Sequence, residues 1–151
     1  MTLFDLAQRF VGEIIERTGG THHPFILWCH ESVAGGFNTD EIPWCSSFLN
    51  RLAWLLRLPR SKSAAARSWL TVGMAIAWAD VRIGDVVILK RGKAPQPGPE
   101  VLKASGHVCL YAGPGAFPAL TFQGLGGNQA NGVTVAPFKV ADVLGVRRLA
   151  A

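Results

Sequence analysis

The apolar pattern of the chain changes from helical to strand-like near residue 80. Before that point apolar residues recur at intervals of three and four, which is the period of a helix with one buried face. After it, short apolar runs lie between glycine- and proline-containing turns, which is typical of strands. The predicted strands lie within residues 84–92, 107–113, 119–125, 133–138 and 143–149. Helices followed by a meander of about five strands predict an α+β fold, with the N-terminal helices packed on an antiparallel sheet.

Length and composition predict one domain that spans residues 1–151. Hydrophobic residues make up 49% and charged residues 17%, which excludes a disordered chain. No apolar run approaches the roughly 20 residues that span a bilayer, so we expect no stable membrane insertion. The start of the chain lacks the basic leader and apolar segment of a Sec signal peptide, so we expect synthesis in the cytoplasm without one. The three cysteines predict no disulfide framework.

The first predicted helix begins after Thr2, which with Asp5 forms a capping-box pattern. Gly19 and Gly20 are predicted to end this helix. Its apolar face comprises Leu3, Leu6, Ala7, Phe10, Val11, Ile14 and Ile15. A further short helix is predicted over Ser61–Leu70, with Ser63 as its cap.

A second amphipathic helix is predicted to begin at Cys45, just after Pro43 and Trp44. Its predicted buried face comprises Phe48, Leu49, Leu52, Leu55 and Leu56. In the first turn, free N–H groups and the helix dipole favour an anion, which would lower the pKa of the Cys45 thiol. A buried structural cysteine is the alternative, and the local pattern leaves both open.

Four potential metal ligands lie within residues 22–30: His22, His23, Cys29 and His30. Their spacing matches no zinc finger, because no separated second pair of ligands follows. We therefore expect these side chains to pack or to line a groove, and we predict neither a metal nor a cofactor.

The chain carries a formal charge of +5, and its basic residues are unevenly placed. No acid lies between Glu41 and Asp80, whereas five basic residues do: Arg51, Arg57, Arg60, Lys62 and Arg67. This segment predicts a basic face that would bind a polyanion. No zinc-finger, RNA-binding or helix-turn-helix pattern is present, so we do not predict nucleic acid as the partner.

His107 begins a predicted strand whose alternation turns one face inward. A histidine there could reach the helix start and take the proton of Cys45, which requires about 3 Å between imidazole and sulfur. A surface histidine at a strand start is the alternative. A third polar group would have to orient the imidazole, and Asn128 and Gln129 follow the next strand. Asn131-Gly132 instead predicts a hairpin turn.

Five short motifs in order resemble the small phage-encoded branch of the CHAP/NlpC-type cysteine peptidases, papain-like amidohydrolases that cut peptidoglycan. The motifs are Pro43-Trp-Cys-Ser-Ser-Phe48, Gly84-Asp-Val-Val87, Gly106-His-Val-x-Leu-Tyr-x-Gly113, Gly126-Gly-Asn-Gln129 and Leu144-Gly-Val-Arg-Arg148. The resemblance implies a papain-like fold, Cys45 as nucleophile, His107 as general base and acid, and Asn128 as the third residue. Four neighbouring residues are predicted to contact the substrate: Trp44, Ser46, Gly106 and Gln129.

The resemblance implies an N-acetylmuramoyl-L-alanine amidase or a stem-peptide endopeptidase that works through a thioester acyl-enzyme. The expected partner is bacterial peptidoglycan, with the basic face holding an anionic wall polymer. In a phage context, release or injection would bring the protein to the periplasm or cell wall. Two alternatives stay open: an acyltransferase or deamidase with the same Cys–His pair, and a non-catalytic phage structural or binding module.

Overall fold

The structure is a computed structural model that describes residues 1–17 and 19–149. Within these ranges three α-helices come first: α1 (Leu3–Gln8), α2 (Pro24–His30) and α3 (Cys45–Leu55). Six strands follow: β1 (Met74–Ile76), β2 (Val86–Lys90), β3 (Gly106–Pro114), β4 (Thr121–Gln129), β5 (Gly132–Lys139) and β6 (Val143–Arg148). Short 3₁₀ helices span Ala66–Thr71, Trp78–Asp80 and Val140–Asp142. The fold class is α+β, as predicted.

The strands form one antiparallel sheet in the order β1-β6-β2-β3-β4-β5. Strands β2 to β5 are successive neighbours, and β6 returns to pair with the free side of β2. The sheet has six strands because β1, which the sequence did not predict, pairs with β6. This edge strand is three residues long and half exposed, so it carries little apolar signal.

The helices cover one face of the sheet. Phe48, Leu49 and Leu52 on α3 are buried and belong to the same cluster as Val108 and Leu110 of β3. The opposite face holds a smaller cluster of buried residues: Val87, Leu89, Cys109, Phe122 and Val146. Alternation along β3 therefore separates the two faces, as the period of a strand requires. Leu55, which was predicted to be buried, is 43% exposed at the end of α3.

The first helix is much shorter than predicted. The capping box is present, with Asp5 N donating to Thr2 Oγ1 (3.1 Å) and Thr2 N donating to the Asp5 carboxylate (2.8 Å). The helix nevertheless ends at Gln8 instead of reaching Gly19. Gly12 has φ +77° and donates to the Val133 carbonyl, so the segment leaves the helix to pair beside β5.

The predicted helix over Ser61–Leu70 is confined to the 3₁₀ turn Ala66–Thr71. Ser63 does not cap it, because its hydroxyl accepts from Ala65 N in a local turn. Upstream, the segment is bound by Asn50 of α3, which accepts from Lys62 N (2.7 Å) and donates to Ser61 (3.0 Å). Side-chain hydrogen bonds of this kind compete with helix formation.

The predicted basic face is smaller in the structure. Arg51 is buried between the rings of Trp28 and Trp54 and donates to the Trp28 carbonyl. Arg67 is fully buried and donates to backbone carbonyls. Arg51 and Arg67 therefore stabilise the fold, and the predicted basic face retains only Arg57, Arg60 and Lys62. The predicted hairpin turn is present, with Ala130 and Asn131 at positive φ between paired Gln129 and Gly132.

Asp40 joins the segment before α2 to the approach to α3. Its carboxylate is fully buried and accepts from the N–H groups of Arg17 (3.1 Å) and His23 (2.8 Å), with His22 Nδ1 at 3.0 Å. Burial alone would raise the pKa of Asp40, but these hydrogen bonds outweigh it and lower the pKa to about 2. The ionised carboxylate therefore stabilises the folded chain.

Replacing Asp40 with Asn should lower the free energy of unfolding at pH 7 by roughly 2 kcal/mol, because a carboxyl whose pKa falls on folding stabilises the fold. That contribution is present above the unfolded pKa and is lost as the pH falls through about 2. Urea denaturation of both proteins at pH 7 and pH 2 measures the difference. Exposed Glu41→Gln is the control. Equal stability of D40N and the parent at pH 7 would contradict this account.

Candidate active site

The start of α3 places Cys45 against the backbone of β3, beside the point where the ladder between β3 and β4 begins. The ladder between these strands begins at Leu110↔Leu125, so residues 107–109 of β3 have no ladder partner on β4. The backbone N–H groups of Val108 and Ser46 point at the Cys45 sulfur. Cys45 thus lies in the first turn of a helix, as predicted, and its sulfur meets the backbone of β3 right beside His107.

Cys45 is more enclosed than the sequence indicated. It is 3% exposed, because α3 packs its first turn directly onto the sheet. Burial raises the pKa of the Cys45 thiol, and the N–H groups of Val108 and Ser46 and the charge of Arg91 offset this only in part. The expectation of a thiol with a lowered pKa at an exposed helix start is therefore wrong. The resting sulfur is a neutral thiol.

His107 lies on the face of β3 that carries Cys109, whereas Val108 and Leu110 face α3. Its imidazole stacks on the ring of Phe138, with centroids 5.3 Å apart. Burial lowers the pKa of His107 to about 4, and the charge of Arg91 acts in the same direction. The imidazole is therefore neutral at neutral pH, which is the form that accepts a proton.

Gln129 determines which imidazole nitrogen carries the proton. Its side-chain N–H₂ group donates to the carbonyls of Gly124 (3.1 Å) and Thr134 (2.9 Å), which leaves the amide oxygen to face His107. That oxygen lies 2.9 Å from His107 Nε2 and accepts a hydrogen bond from it. In the neutral ring one nitrogen donates and the other accepts. The proton is thus on Nε2, and Nδ1 is the acceptor.

Asn128 does not make the contact that was predicted for it. It has φ +57°, and its side chain points towards Glu16 and Arg91. With the amide oriented to satisfy both, its nitrogen lies 3.0 Å from Glu16 Oε1 and its oxygen 3.3 Å from Arg91 Nη1. The register shift between Gly126 and Gln129 reverses which side chain faces the imidazole. Gln129, predicted to contact the substrate, therefore orients His107.

Cys45 packs against the sheet from the face that α3 covers, whereas His107 lies on the opposite face. The described residues include no hydrogen bond between the Cys45 sulfur and the imidazole. The charge of Cys45 nevertheless acts on Cys109, which shares the face of His107. The sulfur faces the backbone of β3 at Val108, the residue next to His107.

Trp44 and Ser46 support the helix start instead of meeting a substrate. Both are fully buried. Trp44 Nε1 donates to Glu16 Oε1 (2.6 Å), and Ser46 Oγ donates to the Ser63 carbonyl (2.6 Å). Because both side chains are buried and hydrogen-bonded, neither is free to make the substrate contact that was predicted. Gly106 allows close packing, since a Cβ there would lie 2.9 Å from Arg67 Cγ.

The 3₁₀ helix Ala66–Thr71 connects the two halves of the site. Trp69 Nε1 donates to Ser46 Oγ (2.9 Å), beside Cys45. Arg67 Nε donates to the Ser105 carbonyl (2.8 Å), two residues before His107. Neither residue was predicted from the sequence to belong to the site. The sequence signal that could have identified these two residues is a basic side chain two positions before a tryptophan, on a short segment between the helices and the strands.

A cavity of about 280 Å³ reaches the imidazole. Its lining includes Lys90, Arg91, His107, Asn128, Phe138 and Asp142. Arg91 was also missed from the sequence, although it follows β2 directly. Because Lys90 pairs with Gly106 in the antiparallel ladder, the end of β2 lies beside the start of β3. This pairing places Arg91 at the same end of the sheet as His107.

The four potential metal ligands near α2 are used in packing. Cys29 and His30 are buried, and His30 Nδ1 lies 2.9 Å from Ser47 Oγ. His22 and His23 both contact Asp40, His23 through its backbone N–H. In the part of the chain that the structure describes, no group of three or more His, Cys, Asp or Glu side chains is placed to hold a metal ion.

Comparison of the sequence with protein-family models and with curated proteins finds no match. Among the described residues no helix is long and apolar enough to cross a membrane. The functional interpretation therefore depends on the geometry of the site and on the motifs already described.

The tautomer and pKa of His107 give a prediction that needs no substrate. In ¹⁵N-edited NMR spectra the His107 ring should remain neutral with its proton on Nε2, and it should titrate with a midpoint at about pH 4. Replacing Gln129 with Leu should release the fixed tautomer, because the accepting oxygen is lost. The His22 ring, which contacts Asp40, is the internal control. An Nδ1–H tautomer in the parent protein would contradict the assignment.

Proposed function

We propose that this chain is a papain-like cysteine amidohydrolase that cleaves an amide bond of bacterial peptidoglycan, as an N-acetylmuramoyl-L-alanine amidase or a stem-peptide endopeptidase. The observation that carries the proposal is the fixed tautomer of His107. Gln129 holds the proton on Nε2 and leaves Nδ1 as a proton acceptor, on the residue next to Val108, whose N–H group faces the Cys45 sulfur. The choice of peptidoglycan rests on the five motifs shared in order with wall-cutting cysteine peptidases.

In the proposed reaction the Cys45 sulfur attacks the carbonyl carbon of the amide while its proton passes to His107 Nδ1. The tetrahedral oxyanion is stabilised by backbone N–H groups of the first turn of α3, which has no side-chain cap. His107 then protonates the departing amine, and a thioester with Cys45 remains. Water, deprotonated by the same imidazole, hydrolyses the thioester and restores the thiol.

The proposal also requires a movement at the helix start. Because Cys45 is 3% exposed, a substrate carbonyl reaches its sulfur only if α3 or the segment 126–129 shifts. The cavity beside His107 ends on the imidazole and on Asn128, and Cys45 is not among its lining residues, so this shift must join the cavity to the sulfur. Substrate binding and opening of the site are therefore expected to be coupled.

One observation favours a second candidate, a non-catalytic binding or virion-structural module with the same fold. The buried thiol, whose pKa is raised, is what an inert cysteine would show. The two candidates differ in a single outcome. Only the hydrolase loses a chemical activity when Cys45 is replaced.

Replacing Cys45 with Ala should reduce lysis of purified sacculi to background, because no nucleophile remains for the thioester. The measurement is the fall in turbidity, followed by mass spectrometry of the released termini. A free lactyl carboxyl identifies an amidase, and a split stem peptide identifies an endopeptidase. Cys29→Ala is the matched control, because Cys29 is also buried but packs between α2 and the core.

Two results would overturn the proposal. C45A protein that clears sacculi as fast as the parent would exclude the mechanism. Parent protein that is folded by circular dichroism yet leaves every sacculus preparation intact would favour the non-catalytic module.

The pH dependence of kcat/KM should show the range in which the His107 imidazole is neutral. A general base works only when unprotonated, so kcat/KM should fall on the acid side as the pH drops through about 4, the pKa of His107. The Gln129 hydrogen bond raises the pKa of His107, so Gln129→Leu should move this limb to lower pH. Initial rates between pH 3 and 8 measure the acid limb of the parent protein and that of the Gln129→Leu protein. An acid limb near pH 6.5, the ordinary pKa of histidine, would contradict the buried neutral ring.

A further inference from the structure

Arg91 lines two neighbouring cavities. It lines the cavity of about 280 Å³ that ends on His107 and also a neighbouring one of about 390 Å³ bounded by Gly92, Ala94, Pro95 and Gln96. Its Nη1 lies 3.3 Å from the amide oxygen of Asn128, which also lines the first cavity. The side chain thus points into the space beside the imidazole.

Arg91 differs from the other arginines whose contacts define the fold. Arg51 and Arg67 are buried against backbone carbonyls, and Arg148 pairs with Asp85 at 2.7 Å. Arg91 is exposed, and the ion pairs found among the described residues do not include it. A guanidinium carries several N–H donors in a planar fork, and one amide oxygen uses only part of that capacity.

The charges around the two cavities leave a positive balance. Lys90, Arg91 and Asp142 line both of them, which amounts to two cations and one anion. The charge of Arg91 lowers the pKa of both Cys45 and His107, so the guanidinium is close enough to act on both reacting groups. A ligand placed between Arg91 and the imidazole would therefore lie next to the scissile bond.

We propose that Arg91 binds a carboxylate of the substrate, so that the preferred substrate carries a free carboxylate on a residue adjoining the scissile amide. This inference rests on the proposed amidohydrolase function. A carboxylate matches the planar fork of a guanidinium with two parallel hydrogen bonds. The two cavities together have room for an amino-acid-sized group, and the residues already present leave the fork open.

Two synthetic muropeptides test the inference, one with a free carboxylate beside the candidate bond and one with the carboxamide at that position. The parent protein should cleave the acid with a kcat/KM about 10- to 100-fold higher, as expected for hydrogen bonds to a charged group. Arg91→Met should remove the preference, because cleavage of the acid should slow much more than cleavage of the carboxamide. Arg91→Lys, which keeps the charge without the fork, should retain part of it. Lys93→Gln is the matched control, because Lys93 is exposed and lines neither cavity.

Binding to C45A protein, measured by calorimetry, separates this inference from the proposed chemistry. The acid should bind more tightly than the amide to C45A, and equally to a protein that carries both C45A and Arg91→Met. Equal affinity for both muropeptides in C45A overturns the inference. Cysteine-dependent cleavage of both substrates at the same rate overturns it too and leaves the hydrolase intact. Tighter binding of the acid without any turnover by the parent supports the carboxylate site and overturns the hydrolase.

Discussion

The close contact between β4 and the start of α3 is the constraint on which the site depends. A Cβ on Gly127 would overlap the ring of Trp44 and lie 3.0 Å from Phe48 Cβ, so only glycine allows this approach. The contact presses the first turn of α3 against the sheet, and Cys45 is buried as a result. Gly126 plays a similar part beside Gln129, whose amide oxygen would lie 2.6 Å from an added Cβ. Two adjacent glycines thus position Cys45 on one side and the hydrogen-bond partner of His107 on the other.

A buried polar framework keeps the remaining elements in register with that contact. Arg67 has no carboxylate partner among the described residues, and its Nε and Nη1 donate to the carbonyls of Pro97, Gly98, Val101 and Ser105. Burying a charge is costly unless its hydrogen bonds are made, and these four bonds offset much of that cost, although Nη2 has no partner among the described residues. The guanidinium thus binds four carbonyls of the loop of residues 97–105, which leads into His107. Its neighbour Trp69 holds Ser46 next to Cys45, so one short 3₁₀ helix positions both halves of the site.

The sequence predicted most of the elements because its signals for them are local, although it did not predict α2. Glycines and alternating apolar residues located five of the six strands, and the helix period located the start of α3 at Cys45. The wrong predictions concern features that are determined by contacts between distant parts of the chain. Pairing of Gly12 with β5 ends the first helix early, and packing of α3 on the sheet raises the pKa of a thiol that the helix dipole alone would lower. A register shift in β4 exchanged the roles of Asn128 and Gln129, and no local pattern distinguishes two adjacent amides.

The electrostatics of the site bear on when the proton moves in the proposed reaction. Transfer from Cys45 to His107 would create a thiolate and an imidazolium, and burial opposes both charges. Arg91 stabilises the thiolate but destabilises the imidazolium, so its field largely cancels for the pair as a whole. A pre-formed ion pair is therefore disfavoured in the closed protein. The charge separation becomes favourable only once a carbonyl is in place to share the negative charge with the N–H groups of α3. In the proposed reaction, proton transfer and attack on the carbonyl would therefore coincide, and a neutral, enclosed pair is compatible with catalysis that begins only when substrate has opened the site.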